Sequence, residues 1–210
     1  MPGGCSLAIL RVTAAIPVEA AEQLAVEERT VAAAIVETRR RAQFVGGRIA
    51  LKAALRATGA SPEALQEPIL RGARGEPLLR DTFAGSIAHK GRFVAAVGGS
   101  RTNVAGLGID LERVERITPA FAARVANDDE RAEARRLRIP MEVGTTCLFA
   151  TKEAVYKAVS GPPTLEFDAI RVCLTQSIAR FTLDGASRTA QLDIRLSEEW
   201  LLVTARLLTA

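Results

Sequence analysis

A chain of 210 residues, 48% of them apolar and 25% charged, has ordinary globular composition and enough length for a core in one or two small domains. Nothing approaches the run of about eighteen apolar residues that a membrane span needs, and the start of the chain lacks the basic and apolar regions of a secretory signal, so a non-membrane, cytoplasmic protein is expected. The net charge of +4 suits an acidic partner, but aromatic content of 4% with no interleaving among the basic residues argues against a nucleic-acid-binding module. Cys5, Cys147 and Cys173 are odd in number and widely spaced, which excludes a disulfide framework or zinc knuckle and fits a reducing compartment.

In chain order, residues 4–12 read as a strand. Residues 18–58 read as helical, in two helices, with a stop at Gly59 and Pro62 beyond. A turn-rich stretch, 69–79, leads to short strands at 86–89 and 93–97 around Lys90-Gly91. Residues 104–112 form a buried strand ending in carboxylates. Residues 119–138 are helical, with a break and a new cap at Asn127-Asp128. A helix over 146–159 is stopped by Gly161-Pro162-Pro163. Strands at 169–174, 178–183, 190–196 and 200–207 follow as a meander, with a turn at Asp184-Gly185.

The chemistry concentrates in two of these elements. On the strand, Asp110 and Glu112 are two apart and share a face. On the helix, Glu153 and Lys157 are four apart and share a face, with Lys152 beside them. Taken singly, these are ordinary strand-end carboxylates and a surface ion pair. If the helix packs on the strand, three carboxylates and two lysines meet. Three hard oxygen ligands suit Mg2+, which commonly shares its shell with substrate phosphates, and lysine is a point charge for phosphate. Lys52, Lys90, Lys152 and Lys157 are the only lysines, arginine being the default basic residue elsewhere.

A faint repeat underlies the chain. Phe44, Arg48, Lys52 and Ala53 align with Phe149, Glu153, Lys157 and Ala158 at an offset of 105, half the chain length.

Two motifs, Gly108-Ile109-Asp110-Leu111-Glu112 and Phe149-Ala150-Thr151-Lys152-Glu153-Ala154-Val155-Tyr156-Lys157, together resemble the signature of the 4'-phosphopantetheinyl transferase superfamily, surfactin/enterobactin-synthetase type. Upstream, Gly75-Glu76-Pro77, the stretch from Gly85 to His89, and Arg41-Ala42-Gln43-Phe44-Val45-Gly46-Gly47-Arg48 resemble further segments of that family, so the likeness runs over residues 39–160. It implies an α+β fold, a pseudo-twofold duplication of two similar α/β lobes, each a small antiparallel sheet packed with a long helix. The N-terminal lobe, 1–104, then serves the 3'-phosphate and adenine side of coenzyme A. The C-terminal lobe, 105–210, holds the metal, and a monomer with one site between lobes is expected.

The implied reaction moves 4'-phosphopantetheine from coenzyme A to a serine of an acyl or peptidyl carrier protein and releases adenosine 3',5'-bisphosphate. Asp110, Glu112 and Glu153 are the implied Mg2+ ligands. Glu153, Lys157 and Glu130 are the implied catalytic residues; the implied base is a metal-bound water helped by a carboxylate on the preceding helix, Glu130, with Asp129 one slip of alignment away and the water, Glu130 and Asp129 left as alternatives. Arg41, Arg48, Ala88, His89, Lys90, Asp110, Lys152 and Lys157 are the implied coenzyme A contacts. Ala88 stands where the family has a second serine, Lys90 where a small residue is common, and Glu76 and Leu79-Arg80 also depart from the pattern. Arg124, Arg131, Arg135, Arg136 and Arg138 make the 119–140 segment the expected face for an acidic carrier, with Arg131, Arg135 and Arg138 as one helical stripe. The competing readings are a Mg2+-dependent phosphohydrolase or nuclease built on the same carboxylates, and an inactive scaffold of the family.

Overall fold

The computed structural model of the chain describes residues 4–13, 16–115, 117–159 and 165–209. Strand β1 (Cys5–Arg11) is followed by α1 (Val18–Glu22), α2 (Val26–Ala34), α3 (Thr38–Ala57) and α4 (Pro62–Gln66), then β2 (Phe83–Lys90), β3 (Phe93–Ser100) and β4 (Val104–Arg113). Next come α5 (Pro119–Val125), α6 (Asp128–Arg136), α7 (Met141–Ala158), a single 3-10 turn at Phe167–Ala169, and β5 (Arg171–Cys173), β6 (Ile178–Leu183), β7 (Ala186–Ser197) and β8 (Trp200–Leu208). The chain is α+β and divides into two compact units, with the boundary between Ala105 and Gly106.

In the first unit a three-stranded sheet, β1-β3-β2, carries the long helix α3. Both strand pairings are antiparallel, with Ile9 opposite Ala95 and Lys90 opposite Phe93. Ala50, Leu51 and Leu55 recur at helical spacing along α3 and are buried with Ala96, Leu65 and Ile69. The helix begins where the Glu37 carboxylate accepts from the N–H groups of Arg39 and Arg40, each at 3.0 Å, and stops before Gly59 at φ +90°.

The second unit repeats this plan with additions. Its sheet runs β4-β8-β7-β6-β5 under α7, whose Leu148, Ala154, Val155 and Ala158 are buried with Ile170, Phe181, Val203 and Ala205. Thus β1-β3-β2 in the first unit matches β4-β8-β7 in the second. The match extends to single bonds: Val12 N–H donates to Arg92 O at 2.7 Å, and Val114 N–H donates to Glu199 O at 2.7 Å.

Several elements differ from their sequence reading. Residues 18–58 hold three helices rather than two, because the backbone is extended at Ala25 and again at Ile35 and Glu37. Pro62 opens a short helix at its first position, where a missing N–H costs nothing, with Ser61 as cap. Helix α7 starts at Met141, a turn and a half before the expected 146, with Pro140 ahead of it. Strand β7 extends back to Ala186 through polar Ser187, Arg188 and Thr189, closed by a two-residue turn with Asp184 at φ +50° and Gly185 at φ +73°. The expected stop at Gly161-Pro162-Pro163 lies outside the described residues.

Candidate active site

Two glycines bring helix and strand together. A Cβ on Gly106 would strike the carbonyl oxygen of Ala158, and a Cβ on Gly108 would strike the carbonyl oxygen of Ala154 and, at 2.6 Å, the nitrogen of Ala158. The α7 backbone therefore lies directly on β4 at these points, closer than any side chain would permit. Asp110 follows two residues after Gly108, and Glu153 and Lys157 stand on the last turns of α7.

Lys157 Nζ donates to Asp110 Oδ1 at 2.6 Å and to Ile109 O at 3.2 Å. Asp110 is 6% exposed, and its second oxygen, Oδ2, is buried without a hydrogen-bond partner among the described residues. Glu153 is half-buried. Burial pushes its carboxyl above the usual range; Lys157 pulls it down, and the nearby charges of Asp110 and Glu112 push it up further. The three expected ligands thus lie within electrostatic reach of one another, with Lys157 among them. Among the described residues no three His, Cys, Asp or Glu side chains stand as a ready-made metal cage. The donors nevertheless fit a hard divalent cation: three carboxylates, one carrying a buried oxygen that lacks a partner.

Lys152 and Glu130 are placed otherwise than expected. Lys152, read as a coenzyme A contact, is 1% exposed and donates to Glu130 Oε2 at 3.0 Å, with its ammonium 5.9 Å from the Phe167 ring centre. Glu130, read as a candidate base, is 3% exposed; its Oε2 also accepts from Asn127 N–H at 3.0 Å and its Oε1 from Val172 N–H at 2.8 Å. Neither group faces solvent, because each satisfies the other inside the second unit. Asp129, one residue earlier, is exposed.

The first-unit candidates are mixed. Arg48, read as a phosphate ligand, is buried, donates to Ile69 O at 3.0 Å and lies 3.9 Å over the Phe44 ring. Burial lowers its guanidinium pKa to about 10. It is a core arginine, not a displayed one. Arg41 is half-buried and donates to Ile35 O at 2.9 Å. Ala88 is buried in β2, while His89 is exposed and Lys90 half-buried at the end of that strand, where the chain turns through Gly91 at φ +57°. Phe149 packs in the second core with its ring 5.8 Å from both Phe121 and Phe167.

The sequence reading missed Glu28, which is fully buried. Lys52 Nζ donates to its Oε2 at 2.7 Å, Ala25 N–H to the same oxygen at 2.7 Å, and Ile69 N–H to its Oε1 at 2.9 Å. These are the bonds that Lys152, Asn127 and Val172 make to Glu130. The internal repeat therefore pairs Lys52 with Lys152 at an offset of 100, and the expected pairing with Lys157 at 105 is out of register. A lysine at an inward helical position was the available signal; its partner, 24 residues away, was not.

Two family models divide the chain where its two units divide. A family model described as the 4'-phosphopantetheinyl transferase N-terminal domain matches residues 26–98, and one described as the 4'-phosphopantetheinyl transferase superfamily matches residues 106–205. The chain belongs to the 4'-phosphopantetheinyl transferase superfamily. It is 33% identical over 120 residues to the 4'-phosphopantetheinyl transferase PptT of Mycobacterium tuberculosis, covering 57% of this chain and 51% of that one. It is 33% identical over 137 residues to enterobactin synthase component D of Salmonella typhi, covering 64% and 55%. The chain spans about half the length of the curated relatives it matches. A crystal structure of Thermotoga maritima holo-[acyl-carrier-protein] synthase aligns over 51% of this chain and 65% of that one, with 20% identity and a TM-score of 0.36. In this superfamily member no helix among the described residues is long and apolar enough to cross a membrane. The superfamily model over 106–205 contains Asp110, Glu112, Glu130, Lys152, Glu153 and Lys157, so the whole carboxylate–lysine group lies inside it.

Proposed function

We propose that the chain transfers 4'-phosphopantetheine from coenzyme A to a serine of an acyl or peptidyl carrier protein, releasing adenosine 3',5'-bisphosphate, with Mg2+ as cofactor. The observation that carries this reading is the Asp110–Glu153–Lys157 group, built where α7 rests on the glycines of β4 and leaving Asp110 Oδ2 without a partner among the described residues. Asp110, Glu112 and Glu153 would hold the ion, which when bound supplies charge neutralisation for a pyrophosphate. Lys157 supplies a positive charge beside it, and His89 and Lys90 on β2 serve the 3'-phosphate of coenzyme A. Arg48, being buried, supports Ile69 rather than the substrate. The serine proton goes to a carboxylate that solvent reaches, for which exposed Asp129 is a better candidate than enclosed Glu130.

Incubation of the chain with coenzyme A, Mg2+ and an apo carrier protein, read by intact mass, tests the reading. Conversion to the holo form supports it. Asp110→Ala and Glu153→Ala should each reduce conversion about a hundredfold or more, and Glu112→Ala less, since charge stabilisation of a transferring phosphoryl group is the main contribution expected of the site. Wild-type-like turnover in Asp110→Ala, with folding retained by circular dichroism, would sink it.

A further inference from the structure

The duplication supplies a built-in control for the role of Glu130. In both units a glutamate at the third position of a short helix accepts from the backbone N–H three residues before it. It also accepts from a backbone N–H far ahead in sequence, Ile69 or Val172, and from a lysine on the long helix, Lys52 or Lys152. All four charged side chains are no more than 5% exposed. Yet only the second unit carries the carboxylate group. Aligning Val12 with Val114 and Lys52 with Lys152, the positions of Asp110, Glu112, Glu153 and Lys157 are filled in the first unit by Ala8, Leu10, Ala53 and Ala57. The same lock therefore exists where there is nothing for a base to do.

From this we infer that Glu130 acts through Lys152 as a positioning residue, and is not the acceptor of the serine proton. Helix α7 is fixed at two places: at Ala154 and Ala158, where its backbone rests on Gly106 and Gly108, and at Lys152, which Glu130 holds. Contact with the strand sets the distance of α7 from β4. The lock sets the rotation of α7 about its own axis, and Glu153, adjacent to Lys152 and lying between the two anchors, is aimed by that rotation at Asp110 and Glu112. Outer partners that orient carboxylate ligands act on metal affinity before they act on the chemical step.

The inference rests on the proposed transferase reading, and the experiment separates the two. Glu130→Gln, Glu28→Gln and the double variant Glu130→Gln/Lys152→Met are compared by thermal unfolding with and without Mg2+, and by transfer rate against Mg2+ concentration. Both single variants leave a buried lysine without its counter-charge and should lower Tm, by on the order of 10 °C. Only Glu130→Gln should raise the half-saturating Mg2+ concentration, by about tenfold, with kcat at saturating Mg2+ within about threefold of wild type. The double variant removes both charges and should recover Tm, while its half-saturating Mg2+ concentration stays raised because the lock is gone. A kcat loss of about a hundredfold or more at saturating Mg2+, persisting in the double variant with Tm restored, is the signature of a lost general base and overturns the inference. If Glu130→Gln does not fold, the double variant alone decides by the same kcat criterion. If the wild type shows no transfer, the proposed function fails, while the Mg2+-dependent shift in Tm still reports whether the lock governs the metal site; an unchanged shift in both Glu130 variants overturns it.

Discussion

Lys157 Nζ stands 2.6 Å from Asp110 Oδ1, so this chain holds a cation of its own against the carboxylate that we assign to Mg2+. The lysine occupies one oxygen, and Oδ2 has no partner among the described residues. Asp110 would thus hold a bound ion while still paired with the ammonium. Lys157→Ala strips a buried carboxylate of its counter-charge, which should cost about 1–3 kcal/mol of stability. Added Mg2+ should return more stability to this variant than to the wild type, because the ion then supplies the whole of the compensation. Differential scanning fluorimetry with and without Mg2+ measures it; equal shifts in the two proteins would place the ion away from Asp110.

Glu153 gives a pH test whose sign follows from its surroundings. Burial raises its pKa first; Lys157 opposes this, and Asp110 and Glu112 add to it. A carboxyl with a raised folded-state pKa contributes stability that is fully present below the unfolded value and is lost as pH rises through the folded value. At neutral pH and above, the ionised Glu153 is thus a cost to the metal-free fold. Glu153→Gln should raise Tm at pH 8 without Mg2+, and the gain should vanish by pH 4. A difference in Tm that does not vary with pH would show that packing, not charge, separates the two proteins.

Helix α7 and strand β4 were legible in the sequence because their patterns are local. Period two puts Asp110 beside Glu112, and period four puts Glu153 beside Lys157. What the pattern could not show is where a charge turns inward. Lys152 is adjacent to Glu153 in sequence but belongs to the buried face, and Glu130, 22 residues earlier, makes that burial tolerable. Arg48 likewise reads as a displayed cation until the Ile69 carbonyl and the Phe44 ring are placed around it. The repeat was visible but out of register, because Phe44 and Phe149 share a residue type and not a structural position.

Gly108 tests the strand–helix contact itself. Its missing side chain is what admits the Ala154 carbonyl, and backbone on both sides leaves nothing flexible to move aside. Gly108→Ala should push α7 off β4 and destabilise the second unit by about 3 kcal/mol or more, as overpacking against rigid neighbours does. If the chain still folds, Mg2+-dependent stabilisation should be lost with Asp110 and Glu153 both intact. A Gly108→Ala protein with wild-type Tm and Mg2+ response would mean that the close approach does not build the site.

The carrier protein, in the proposed reaction, presents an acidic surface around its serine, and the basic residues after α5 are where we expect it to dock. The structure breaks the expected stripe of Arg131, Arg135 and Arg138. Arg131 is drawn back onto Asp128 at 2.5 Å and onto the Ala126 carbonyl, and Arg138 lies beyond the end of α6 at φ +57°. Arg135, Arg136 and Arg138 remain exposed, together with two apolar side chains, Leu137 at 40% and Met141 at 49%. Exposed basic and apolar side chains close in sequence suit a partner that is acidic at its rim and apolar at its contact point. Arg135→Glu with Arg136→Glu should raise KM for the carrier about tenfold at low salt, leave coenzyme A affinity unchanged, and lose the effect as ionic strength shortens the Debye length. Leu137→Ser should raise KM at all salt concentrations, because apolar burial is not screened. Steady-state transfer kinetics across a salt series distinguish the two, and a KM that moves in neither variant would place the carrier on another face of the protein.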